Sequence, residues 1–112
     1  MRAPQDYKHL LETKGIPLRE LGIQDIALER EDALLAVQFL RKASIPILGG
    51  DVYLKRGAKI ELAYADWHSD PHRGEDLDRY FERSWAGTEN YLRSFSQPPD
   101  AMPLFSLVVG GG

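Results

Sequence analysis

The order of apolar patterns along this 112-residue chain predicts an α+β domain: a leading helix followed by β-α-β-β-α-β, a mostly antiparallel sheet with helices on one face. Three observations carry that expectation. Apolar residues fall at helical spacing in two long segments, residues 31–43 and 75–95. Two strand-like runs, Ile45–Leu54 and Lys59–Tyr64, flank a turn at Lys55–Ala58 in which Gly57 is free to take a positive φ. A closing apolar run, Leu104–Val109, follows a connection containing three prolines and reads as a buried strand.

Each element has its own grounds. Pro4–Lys14 forms a short helix with Tyr7, Leu10 and Leu11 on one side, Pro4 near its start and Gly15 just past its end. The apolar residues of Ile16–Ile23 pack this arm on the core, and Ile23–Leu28 is a short strand or extended segment. Glu31–Ala43 is a helix because Ala33, Leu34, Val37 and Leu40 make one apolar face. Glu31 and Asp32 in its first turn and Arg41 and Lys42 in its last suit the macrodipole. Ser44 and Pro46 stop it, and Pro46 forces Ile45 to be extended. Gly49-Gly50 inside the next run predicts a bulge or a close backbone approach. Residues 65–74 form a polar loop. On the final helix, from about Glu75 to Phe95, Leu77, Phe81, Ser84, Thr88, Tyr91, Leu92 and Phe95 trace one face, which leaves Tyr80 and Trp85 off it, as surface anchors or under the N-terminal arm. Residues 1–109 make one domain, and Gly110–Gly112 a flexible tail.

Composition narrows the function classes. The 43% hydrophobic and 28% charged fractions are those of an ordinary globular domain. With no cysteine, a disulfide framework, a Cys-based zinc site and a thiol nucleophile are all excluded. No apolar run at the start resembles a signal peptide and none is long enough to span a membrane, so a cytoplasmic protein without a membrane partner is expected. The net charge is −3, and its distribution is uneven: residues 61–82 hold seven acids against Arg73 and Arg79. Phosphate needs a basic surface, so direct nucleic-acid binding is disfavoured and a basic protein partner is favoured.

Two clusters bear on chemistry. Asp66, His68, Asp70 and His72 could bind a divalent ion in a small metal-dependent hydrolase. Their placement in a Pro-containing loop, without a third histidine nearby, favours a solvated loop that caps the following helix. Gly49-Gly50 lacks the spacing of a phosphate loop and precedes a strand, and no nucleophile elbow occurs, so no catalytic residue, cofactor or metal is assigned. The second cluster is Asp51, Tyr53, Tyr64, Asp66 and Trp67, with aromatic anchors beside carboxylates near the ends of the hairpin. Two readings stand together: partner contacts, or aromatics covering the core while the aspartates cap turns. Glu75, Asp76, Asp78 and Glu82 are first a solvated helix face, and joined to Asp66 and Asp70 they extend an acidic interaction surface. The candidate partner-binding residues are therefore Asp51, Tyr53, Asp66, Trp67, Asp70, Glu75, Asp76 and Asp78.

The string Ile45-Pro46-Ile47-Leu48-Gly49-Gly50-Asp51-Val52-Tyr53, with Lys59-Ile60-Glu61 and Tyr64-Ala65-Asp66-Trp67, resembles the central signature of the immunity protein 40 family of bacterial polymorphic toxin systems. Glu31-Asp32-Ala33-Leu34 after Ile26-Ala27-Leu28, and the closing Pro103–Val108, agree with it, so the resemblance covers roughly residues 16 to 109. It implies a small cytosolic antitoxin that binds and neutralises a cognate toxin domain without catalysis or cofactor. Glu29 departs from the Ser/Thr helix cap usual at its position. A non-catalytic adaptor that joins a partner by its hairpin edge is the remaining alternative.

Overall fold

A computed structural model describes residues 4–110; Met1–Ala3, Gly111 and Gly112 lie outside the described residues, the last two with most of the predicted tail. The elements are α1 (Gln5–Lys14), β1 (Ile16–Pro17), a 3-10 turn (Arg19–Leu21), β2 (Ile26–Glu29), α2 (Arg30–Lys42), β3 (Ile47–Arg56), β4 (Lys59–His68), α3 (Leu77–Ser94) and β5 (Met102–Val109). The expected α+β fold is present, with the two-residue β1 as an addition. The sheet runs β1-β2-β5-β3-β4 with every neighbour antiparallel.

That order interlocks two β-α-β units. β2-α2-β3 straddles β5, and β4-α3-β5 straddles β3, so each unit supplies the strand that fills the gap in the other. Along β3, Ile47 and Val52 join the helices, while Tyr53 belongs to the opposite face. The helical side is the main core, where Leu28, Val52 and Phe105 meet Ala33, Val37, Leu40, Trp85 and Leu92. On the other side Leu18 and its neighbours cover only Ala27, Tyr53, Ile60 and Leu104. The far end of that face is left open.

Local chemistry explains the element ends. α2 stops in a Schellman motif, in which Ile45 N–H donates to Leu40 O at 2.9 Å and Ser44 N–H to Arg41 O at 3.0 Å, with Ser44 left-handed at φ 57°. At its other end Glu29 makes no side-chain cap, in keeping with its departure from a Ser/Thr. Arg30 reaches instead across to the end of α3 and donates to the carbonyls of Leu92 and Phe95, the latter at 3.0 Å. These bonds satisfy orphan acceptors of the last helical turn.

Three expectations are corrected. β4 runs on to His68, because Ala63, Ala65 and Trp67 keep alternating toward the core through the stretch that looked like a polar loop. Tyr80 and Trp85 are buried, not surface anchors: Tyr80 Oη donates to Ser69 O and Trp85 Nε1 to Ile45 O, both at 2.7 Å. Each polar tip finds a backbone acceptor, which makes burial of these rings affordable. Leu77, placed on the apolar stripe, is 69% exposed, and the buried face of α3 is Tyr80, Ser84, Trp85, Thr88 and Leu92. The first residue of the predicted tail, Gly110, is tied down by a bond from its N–H to Pro46 O at 2.8 Å.

Candidate partner-binding surface

The surface is built on the β3–β4 hairpin. Its register pairs Asp51 with Asp66 and Gly50 with Trp67, then shifts so that Val52 opposes Ala65 but Tyr53 opposes Leu62. Ala63 and Tyr64 are therefore two extra residues, a bulge in β4. Two insertions preserve the alternation of faces. Leu62, Asp66 and His68 stay on the open side with Asp51, while Ala63, Ala65 and Trp67 face the helices. Tyr64 takes a left-handed φ of 55° and is 91% exposed. For a non-glycine residue that conformation costs about 1–2 kcal/mol, and nothing buried by the ring offsets it.

Of the eight residues predicted from the sequence, two serve the core. Trp67 stacks on Tyr91 with ring centroids 4.7 Å apart, meets Phe105 edge-on, and donates its indole N–H to Thr88 Oγ1 at 3.0 Å. Tyr53 is buried under Leu18 and its neighbours. The helix-start acids are largely engaged within the chain. Asp76 caps α3 by accepting from Arg79 N–H at 2.8 Å. Glu75 accepts from the Arg83 guanidinium at 2.8 Å and from the His72 amide. Asp70 lies 3.6 Å from His68 Nε2. Asp51, Asp66 and Asp78 are exposed, and none of the ion pairs among the described residues includes them.

Asp51 and Asp66 sit directly opposite each other on adjacent strands, a placement that repels when both are charged. Partial burial, the facing Asp66 carboxylate and the more distant Asp25 push the Asp51 carboxyl above its ordinary range, in that order. A cation arriving between them would reverse the penalty. A shallow depression of about 280 Å³ lies here, between Gly49, Asp51, Asp66 and Val108. A cleft of about 670 Å³ lies between α1 and the arm, and none of the eight residues lines it. Among the described residues, no three His, Asp or Glu side chains converge to hold a metal ion, so the Asp/His segment 66–72 has no such geometry.

Glu75 gives a pH signature. The Arg83 guanidinium, then the His72 amide, lower its carboxyl from 4.5 to about 2. A lowered folded-state value stabilises above the unfolded value and is lost as pH falls through the folded one. The acid loss attributable to Glu75 therefore falls between about pH 4.5 and 2. Glu75→Gln is expected to flatten the decline in melting temperature across that window; a decline as steep as wild type would assign it to other carboxylates.

A family model described as Immunity protein 40 matches residues 17–109. The chain belongs to the immunity protein 40 family. No curated protein and no solved structure matches it. The immunity protein 40 match runs from Pro17 at the end of β1 to Val109 at the end of β5, so it takes in the whole sheet except Ile16 and leaves α1 outside. Family membership supports an immunity role, and the Asp51–Asp66 hairpin lies inside the matched region. Among the described residues no helix is long and apolar enough to cross a membrane.

The sequence places Tyr64 at the end of a strand and groups it with Asp51 and Asp66, but does not predict a bulge. No glycine or proline marks Ala63-Tyr64, and the extra residues emerge only once both arms of the hairpin are paired.

Proposed function

We propose that this chain is a bacterial cytoplasmic antitoxin that neutralises one cognate toxin domain by stoichiometric binding, without catalysis. The family match over residues 17–109 carries the reading. The surface agrees with it, since Asp51, Asp66 and Asp78 are exposed acids outside the ion pairs found among the described residues. The acidic excess of residues 61–82 steers the protein toward a basic toxin surface, and contacts made after encounter set the residence time.

The decisive experiment co-expresses the chain with the product of the adjoining toxin gene. Cells should survive only when both are made, and the two proteins should purify as a complex. Death despite abundant folded antitoxin would overturn the reading. Steering has its own test. The association rate should fall with rising ionic strength, and Asp76→Lys/Asp78→Lys should flatten that dependence. Equal slopes for variant and wild type would remove steering from the account.

A further inference from the structure

The open end of the sheet joins two features that folding alone does not require. One is Tyr64, a 91% exposed ring held in a left-handed backbone conformation by the β4 bulge. The other is the Asp51–Asp66 pair, two carboxylates facing each other that enter none of the ion pairs among the described residues. Leu62 and Val108, both exposed on this face, add apolar area around them.

We propose that this patch is the toxin-docking surface, with Tyr64 as an anchor that enters a pocket rimmed by Lys or Arg on the toxin, while Asp51 and Asp66 pair with those cations. The inference rests on the antitoxin reading and adds which surface binds and what chemistry it meets. It moves the centre of the interface from the start of α3, where Glu75 and Asp76 are held by Arg83 and the helix end, to the β3–β4 hairpin. Tyrosine is suited to such a role: it buries a large ring with few rotatable bonds and keeps a polar tip for the rim.

Charge decides among occupants. A second copy docked through the same patch would bring acids against acids in a chain already at −3. Extension of the sheet by a strand of any partner is interrupted where the bulge breaks the β4 edge. A basic surface meets neither obstacle, and it removes the repulsion between the facing aspartates.

Glycine is the informative replacement, because it accepts a positive φ without strain while deleting the ring. Tyr64→Gly should melt within a few degrees of wild type, yet bind the product of the adjoining toxin gene about 30-fold or more weakly, by calorimetry or surface-based kinetics. Tyr64→Phe should keep most of the affinity. Asp51→Asn/Asp66→Asn should be at least as stable as wild type, weaken binding, and reduce its salt dependence. Wild-type affinity in Tyr64→Gly would overturn the docking surface while leaving the antitoxin reading in place. A large drop in its melting temperature would overturn the claim that the ring is free of the fold. Self-association of wild type that Tyr64→Gly abolishes would assign the patch to a second copy. If wild type itself neither binds nor protects against that product, the underlying antitoxin reading falls with it.

Discussion

Trp67→Ala is expected to destabilise the fold by about 3 kcal/mol, a value at the low end for a large aromatic because the ring is only partly buried. Three interactions disappear together. The indole leaves Tyr91 without its stacking partner and Phe105 without its edge contact, and Thr88 Oγ1, fully buried, loses its donor. The cavity opens between β4 and α3, where the indole meets Tyr91 and Thr88. Melting temperature should fall by roughly 10 °C or more, and urea unfolding should shift its midpoint with little change in slope. A loss of only a few degrees would mean that Tyr91 and Phe95 collapse into the space, and Trp67 would then be free for a role at the interface.

Gly50→Ala should be worse, at about 3 kcal/mol or more, the upper end of overpacking. A Cβ at position 50 would stand 2.2 Å from the Ser106 carbonyl oxygen on β5 and 2.3 Å from Cη2 of Trp67. The ring could swing aside; the carbonyl cannot, because Gly50 and Leu107 are paired in the centre of the sheet. The comparison with Gly50→Ala/Trp67→Ala separates the two clashes. Deleting the ring relieves one of them only, so the double variant should remain far less stable than Trp67→Ala alone, as measured by chemical denaturation. Near-equal stability of the double variant and Trp67→Ala would show that β5 can shift to admit a methyl group.

These two residues also mark how far the sequence could be read. Gly49-Gly50 predicted a bulge or close backbone approach, and both are there: the β3–β5 register slips between Ile47 and Gly49, and Gly50 admits the Trp67 ring. α2 was legible because Ala33, Val37 and Leu40 repeat at helical spacing and the structure buries all three. The buried face of α3 was not. Its orientation depends on Ser69 O and Ile45 O being in place to accept from Tyr80 and Trp85, and distant backbone atoms leave no trace in local periodicity. The surface was half legible in the same sense. Asp51 and Asp66 stood out as acids beside aromatics, but their direct opposition follows from a register set by the unsignalled Ala63-Tyr64 bulge.

The interlocked sheet has a temporal consequence. β5 lies between β2 and β3, yet it is the last of these elements to leave the ribosome. Until it inserts, the inner edges of β2 and β3 are both open and the core lacks Leu104 and Phe105. A nascent chain that stops short of Met102 cannot close the sheet, so the pairing of β2 and β3 with β5 must await synthesis of that strand. Closure of the sheet thus depends on one late strand: without β5, the β3–β4 hairpin that displays Tyr64 has no neighbour along the inner edge of β3.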